Sequence, residues 1–334
     1  MPTAVVRTLR RTPGDLVFAV SGGLDSMVLL HMAASTPDVR RRMSVATFDH
    51  ATGTHAQAAV ALVRAAAESY NLPMHTQRAE SLGVSEAEWR AMRWRFLNSV
   101  AEQSGARVVT GHTRDDQIET VVMRLLRGAS ARGLAALYAD SSVVRPLLSL
   151  SRATLERYAR SHRLSHVEDP TNSDRRYLRN RVRHDLLPAL RAVRPTFDRD
   201  MLAIAREAAR VRREIETIAR SLSRRTQSAL EMDVASFGGL NREAIAILWP
   251  AFVARLGVAL DRRGVQRATD FALTSRTGHQ AQCSGGIRLR RTRQSVVVTR
   301  EPSASYSAET LGAQRPVEPL GGPTSYSMGG PRVS

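Results

Sequence analysis

Short apolar runs rich in β-branched residues alternate with longer amphipathic stretches through the first half of this chain, and that alternation leaves few folds open. Residues 16–20, 43–48 and 107–110 read as buried strands, while residues 24–34, 57–70, 85–104 and 115–127 read as helices between them. Strands joined by helical crossovers run parallel, so the expectation is an α/β domain whose parallel sheet is covered by helices. Gly14 and Gly105 mark turns into strands; Gly22, Gly23 and Gly111 fall where a strand ends and a helix begins. Ligands of open α/β sheets collect at those carboxyl ends.

The second half reads differently. Met201, Ile204, Ala208, Val211, Ile215, Ile218 and Leu222 are spaced by threes and fours, as one face of a long helix requires. Residues 242–254 and 263–275 look helical, and 286–289 with 295–299 look like a small hairpin. After Glu301, Ser, Pro and Gly dominate with few large apolar residues, the composition of a disordered tail. A chain of 334 residues exceeds what one core usually fills. The expected division is therefore a catalytic domain at 1–195, a connecting helix at 196–223, a smaller, mainly helical C-terminal domain at 224–300, and the tail at 301–334. No apolar run is long enough to span a membrane, and residues 16–20 are too short for a signal peptide, so a cytoplasmic protein is expected.

A single cysteine, Cys283, excludes an internal disulfide and a multi-thiolate metal site, and the nine histidines show no ligand spacing. The formal net charge is +18, carried entirely on arginine because no lysine occurs. Codon bias accounts for the choice of arginine but not for the excess of base over acid, which favours a polyanionic partner such as nucleic acid.

Ser21-Gly22-Gly23-Leu24-Asp25-Ser26 follows the first strand and opens a helix. Glycines let backbone N–H groups approach an anion, the hydroxyls of Ser21 and Ser26 add donors, and the helix start is positive. Asp25 is wrong beside bare phosphate and right beside a Mg2+ ion bridging phosphate oxygens. The hexapeptide lacks the Gly-Lys-Ser/Thr end of a Walker A loop. It resembles instead the PP-loop of the N-type ATP pyrophosphatases, a Rossmann-like superfamily that releases pyrophosphate and transfers AMP to a carbonyl oxygen. That resemblance implies ATP and Mg2+ as cofactors.

The likeness narrows further on. Gly111-His112-Thr113-Arg114-Asp115-Asp116-Gln117-Ile118-Glu119-Thr120, Arg127-Gly128, Arg132-Gly133-Leu134, Arg145-Pro146-Leu147-Leu148, Glu168-Asp169-Pro170-Thr171-Asn172 and Tyr177-Leu178-Arg179-Asn180-Arg181-Val182-Arg183 succeed one another. Together, over roughly residues 15–190, they resemble the bacterial tRNA(Ile)-lysidine synthetases. The resemblance implies that ATP adenylates the 2-carbonyl of the wobble cytidine in a CAU-anticodon tRNA(Ile), after which the amine of free L-lysine expels AMP. It also implies that the C-terminal domain contacts tRNA and that the chain is of the family's short form; a homodimer stays open.

Asp116 and Glu119 lie three apart, so on a helix they share a face, with His112 at its mouth. Two carboxylates there suit an ammonium ion or Mg2+, and one of them suits a proton, which lysine must lose before it attacks. Asp115 is read as a helix cap and Gln117 as facing solvent. If helical, Arg179 and Arg183 share a face and Arg181 points away; the functional reading is an arginine clamp on RNA phosphate, leaving AMP or the developing oxyanion. Arg93 matches a family arginine and is assigned with them to substrate, while its aromatic neighbours Trp89, Trp94 and Phe96 read as core. One loop departs from the pattern: Asp49-His50 is followed by Ala51-Thr52-Gly53-Thr54-His55, where the family pattern is Asp-His-Gly-Leu-Arg. Three other readings compete. A tRNA thiolase of the same superfamily would carry paired cysteines, a basic RNA-binding protein without catalysis would release no pyrophosphate, and a small-molecule amidotransferase would leave the charge unexplained.

Overall fold

The computed structural model describes residues 3–51, 53–79, 86–168, 170–227 and 229–301. The chain divides into two compact units, Met1–Glu214 and Ile215–Ser334.

The first unit carries four parallel strands, β1 (Leu16–Ala19), β2 (Met43–Asp49), β3 (Met74–Arg78) and β4 (Arg107–Thr110), in the order β3-β2-β1-β4. Its helices are α1 (Thr3–Arg11), α2 (Leu24–Ala34), α3 (Pro37–Arg40), α4 (Thr54–Ser69), α5 (Glu86–Gln103), α6 (Arg114–Leu126), α7 (Ala131–Leu134), α8 (Arg152–Ser161), α9 (Leu178–Arg181) and α10 (Leu187–Val193). A long helix, α11 (Phe197–Ser221), follows, and the division between the units falls within it. The period-two alternation of β1 explains the layers. Leu16, Phe18 and Val20 pack into one core with Leu29, Leu30 and Met32 of α2, whereas Val17 and Ala19 pack with Phe96, Leu97 and Val100 of α5. Val144 extends the sheet by a parallel bridge to Val109 and delivers Arg145 to the same end.

Strand β3 escapes the sequence pattern because it lies at the sheet edge: four of its five residues, His75 to Arg78, are exposed, so no apolar run marks it. The expected stripe on α11 packs in large part, through Met201, Ala208, Ile215 and, just past the helix, Leu222, but not at every position. Leu202, Ala205, Ala208 and Ala209 are buried, whereas Ile204 and Ile218 are 41% and 48% exposed. Alanines at 205, 208 and 209 seat much of this helix, while Ile204 and Ile218 stay outside and Ile215 packs inward.

The second unit is built on an antiparallel sheet of β5 (Ser223–Arg225), β6 (Ala229–Asp233), β7 (Gln280–Cys283), β8 (Ile287–Arg291) and β9 (Ser295–Arg300), in the order β5-β6-β9-β8-β7. Helices α12 (Arg242–Ala254) and α13 (Arg262–Thr274) contribute more of its residues than the strands do. The β8–β9 pair is the expected hairpin, and the sheet around it is larger than the hairpin alone. Trp249 and Phe252 of α12 bury fully with Leu230, Ile287, Leu289, Val296 and Val298. Residues 302–334, and so nearly all of the expected tail, lie outside the described residues, as does Asp169. Among the described residues no helix is long and apolar enough to cross a membrane.

One close approach sets where the chemistry can sit. A Cβ on Gly111, just past β4, would stand 3.2 Å from both Asp25 C and Ser26 N in the first turn of α2. Glycine lets these two chain segments touch. Gly111→Ala should therefore destabilise the protein by about 1–3 kcal/mol, read as a lowered urea midpoint at an unchanged m-value.

Candidate active site

The order β3-β2-β1-β4 opens a crevice where the connections from β1 and β4 diverge, at their carboxyl ends. Beyond β1, Gly22 adopts φ 80°, and a Cβ there would lie 3.0 Å from the Cβ of Ala59 on α4. Both conditions require glycine. The Ser26 hydroxyl accepts from Ser21 N at 3.2 Å and donates to Gly23 O at 2.9 Å, with Ser21 Oγ 3.4 Å away. Ser26 thereby closes the turn, and the first amides of α2, beginning at Leu24, have no intrahelical acceptor. The arrangement is a backbone cradle for an anion.

Asp25 stands in the first turn of α2. Its Oδ2 is 3.5 Å from Arg152 Nη1, while Oδ1 is buried with no hydrogen-bond partner. Burial pushes this carboxyl up to about 6; Arg152 opposes the rise, and the nearby charge of Asp116 adds to it. An oxygen left bare beside a glycine cradle has the hardness and position that a divalent cation needs, so the residues present fit a bound Mg2+.

His112 follows Gly111, with Nδ1 2.7 Å from Thr110 Oγ1. Burial lowers it to about 4; Asp116 opposes the drop, and Arg145, Arg179 and Arg93 reinforce it. It is therefore neutral at pH 7, able to hydrogen-bond but not to act as a cation.

Helix α6 begins with a reciprocal cap. Thr113 Oγ1 accepts from Asp116 N at 3.2 Å, and Asp116 Oδ2 accepts from Thr113 N at 2.7 Å and from its hydroxyl at 2.9 Å. Asp116 Oδ1 accepts from Arg179 Nη2 at 2.5 Å. One turn on, Glu119 has a side chain only 2% exposed. Its Oε1 accepts from Arg183 Nε at 2.6 Å, and its Oε2 accepts from Arg179 Nε at 2.8 Å and Arg183 Nη2 at 3.0 Å. Burial alone would raise Asp116, but the Arg179 charge, the Thr113 bonds and His112 outweigh it and hold this carboxyl below its usual range.

The arginines arrive on one face because α9 runs into a π-turn, Val182–Leu186, before α10. Asn180 is buried, and its side-chain amide donates to Thr171 O at 2.7 Å and Asp174 O at 2.9 Å, anchoring the chain just ahead of Arg183. Arg181 is exposed on the opposite side and does not join the cluster. Arg93, half-buried on α5, contributes its charge to the surroundings of His112, and its neighbour Phe96 belongs to the core.

Two residue readings are corrected. Gln117 does not face solvent: it is fully buried, donating to Ala135 O at 3.1 Å and accepting from Leu137 N at 2.7 Å, so its amide pins the segment after α7. Asp115 does not cap its own helix, a role Thr113 fills; its Oδ2 accepts from Arg152 N at 2.8 Å, at the start of α8. Arg152 itself, between Asp115 and Asp25, is absent from every motif read above, and nothing in its spacing announces it. Arg145 stands in a quoted motif, but only the bridge at Val144 brings it near His112.

Residues 3–190 match the PP-loop domain family. The chain is 38% identical over 222 residues to a tRNA(Ile)-lysidine synthase of Pseudomonas fluorescens, covering 64% of this chain and 50% of that protein. It is 40% identical over 219 residues to one of a Bradyrhizobium species, covering 62% and 60%. The chain thus spans between half and three-fifths of the length of these relatives. A solved U34-tRNA thiolase from Methanococcus maripaludis, 15% identical with a TM-score of 0.51 over 63% of this chain and 77% of that one, shares the fold.

Two outcomes test this electrostatic picture. Glu119→Ala leaves Arg179 and Arg183 without their shared buried counter-charge and should cost about 2–4 kcal/mol in urea unfolding. Asp25 binds its proton more tightly folded, near pH 6, than unfolded, near pH 4. Its contribution to stability is thus complete below about pH 4 and lost as pH rises through 6, by about 2–3 kcal/mol. The difference in stability between the wild type and Asp25→Asn should change by that amount between pH 4 and 7, and a constant difference would remove the assignment.

Proposed function

This chain belongs to the PP-loop domain family, and from that membership we propose that it is a tRNA(Ile)-lysidine synthetase, a ligase that forms a carbon–nitrogen bond at the expense of ATP. The reading rests on one observation: Asp25, Asp116, Glu119, Arg179 and Arg183, from three motif blocks far apart in the chain, lie close enough to influence one another. The name of the relatives, tRNA(Ile)-lysidine synthase, supports a tRNA(Ile) as the RNA and lysidine as the product; in this proposal the acceptor is the wobble cytidine of a CAU anticodon and the nucleophile is free L-lysine.

In this proposal Ser21, Gly22, Gly23, Leu24 and Ser26 hold the phosphates of ATP. Mg2+ on Asp25 would offset the charge of the phosphates and ease departure of pyrophosphate. Attack by the 2-carbonyl oxygen of cytosine on the α-phosphorus releases pyrophosphate, and attack of the lysine amine at C2 then releases AMP and one amine proton. Neutral His112 offers the base a hydrogen bond. Arg179 and Arg183, oriented by Glu119, face charge that develops on phosphate and on the leaving group, with Arg93 behind His112 and Arg181 left for RNA at the surface. Asp116 and Glu119 remain the acidic pair that meets the lysine ammonium. Since Arg179 already occupies Asp116 Oδ1, lysine reaches that carboxylate by competing with a guanidinium.

A sulfur-transferring reading has less support. One cysteine supplies no thiolate set, and among the described residues no group of three His, Cys, Asp or Glu is placed to hold a metal ion. The test is incubation with ATP, Mg2+, radiolabelled lysine and unmodified bacterial tRNA. Label should enter only tRNA(Ile) with a CAU anticodon, Asp25→Ala should abolish incorporation, and Arg183→Ala should lower it at least about 100-fold, the scale of losing a transition-state donor. Arg332→Ala should leave it unchanged. No incorporation under any condition, or incorporation without ATP, overturns the proposal.

A further inference from the structure

A cavity of about 740 Å3 opens elsewhere in the first unit, between α1, the start of α6, residues 138–149 and the α11 face that carries Arg206 and Arg213. No residue of the 21–26 loop lines it, nor does Asp116, Glu119, Arg179 or Arg183. Four arginines do: Arg114, Arg145, Arg206 and Arg213. Among the described residues no acidic side chain joins them in the lining, and Asp140, outside it, is 3.9 Å from Arg213.

Internal partners take up only part of this donor capacity: Arg145 Nη1 donates to Ser141 Oγ at 2.9 Å and Val143 O at 3.4 Å, and Arg213 is loosely paired with Asp140. The Nε atoms of Arg114 and Arg145 are buried without an acceptor. Arg206 is exposed and makes no hydrogen bond or ion pair among the described residues. With no carboxylate in the lining and the Arg206 guanidinium unpaired, the wall keeps a net positive charge that calls for an anion from outside the chain. Tyr138 and Leu202 supply an apolar and aromatic part of the lining, which a metal ion does not need, and four arginines are more charge than a neutral sugar calls for. Guanidinium donors around an aromatic ring are the chemistry of a nucleotide, its phosphate on the arginines and its base or sugar on the ring.

We propose that this cavity is a second nucleotide-binding site that takes a phosphate-bearing nucleotide of a bound RNA strand, apart from the ATP loop. The inference rests on the reading of the chain as an RNA-acting enzyme. Four converging cations fit an RNA backbone because each phosphate engaged releases counterions and contributes to affinity. Arg206 and Arg213, seven residues apart and therefore two turns along the same face of α11, would follow such a strand.

The test measures binding of full-length protein to a labelled, unmodified tRNA(Ile) transcript over a range of salt concentrations. Arg206→Ala with Arg213→Ala should raise Kd about tenfold and reduce the slope of log K against log salt by about one to two, at unchanged ATP affinity and melting temperature. A charge-matched pair at exposed positions of the same unit, Arg40→Ala with Arg41→Ala, should change both much less. Equal affinity and slope in the two double variants overturns the proposal. So does calorimetric binding of AMP or inorganic phosphate that the Arg206/Arg213 substitutions abolish while RNA affinity stays intact, which assigns the cavity to a free small anion. Lysine incorporation by the wild type is scored in parallel. Its absence alongside an intact arginine effect counts against the proposed activity alone, and its presence alongside an unaltered salt slope counts against the cavity alone.

Discussion

Glu119 is buried, negatively charged and shared between two arginines, and the candidate centre is organised around that constraint. A carboxylate this enclosed is tolerated only when its oxygens are satisfied by charged donors in good geometry. Arg179 and Arg183 meet that requirement from α9 and the π-turn after it, which ties that segment to α6. Arg179 in turn bridges to Asp116, whose second oxygen completes the cap of α6. Cap, acid pair and arginine pair thus form one connected network, and losing a member exposes the others to uncompensated charge. Asp116 and Glu119 therefore hold up the structure of the centre whatever chemistry they also perform.

Burial acts in opposite directions on the two groups that flank this network. Asp25 is pushed up to about 6 and His112 down to about 4, so at neutral pH the first is an anion and the second is uncharged. Each is driven toward its neutral form by the same loss of water. Asp25 keeps an unshared oxygen while arginines gather on the His112 side, a polarity suited to a cation at the loop and to anionic groups beyond it. The glycine at 111 makes this proximity possible by letting the end of β4 rest against the first turn of α2.

Legibility in the sequence followed burial. β1, β2 and β4 announce themselves because their side chains are apolar and enclosed, whereas β3, with four of five residues in solvent, has no such signature. The helix α11 is visible as a helix and most of its apolar stripe packs, but Ala205 and Ala209 bury where Ile204 and Ile218 do not, since alanines pack closely and add little to a hydropathy pattern. In the second unit the β8–β9 hairpin is short-looped, with alternating apolar and polar residues in β8 and a valine run in β9. β5 and β7 are polar and pair with neighbours chosen by the fold, and β6, Ala-Leu-Glu-Met-Asp, has no β-branched residue to mark it as a strand. Gln117 shows the same limit at one residue: an amide reads as surface until a backbone turn arrives to satisfy both of its ends.

The sequence by itself determined the strand–glycine–helix junction at 21–26, the helical spacing that puts Asp116 beside Glu119 and Arg179 beside Arg183, and the cationic character of the chain, because each depends on neighbours within a few positions or on composition alone. Tertiary structure decided that the arginines reach those carboxylates about sixty residues away, that Arg152 stands between Asp25 and Asp115, and that Arg114, Arg145, Arg206 and Arg213 share a cavity. Charges this far apart in the chain interact only where the packed sheet and helices bring them within a few ångströms and remove the water between them, and no local pattern encodes that distance.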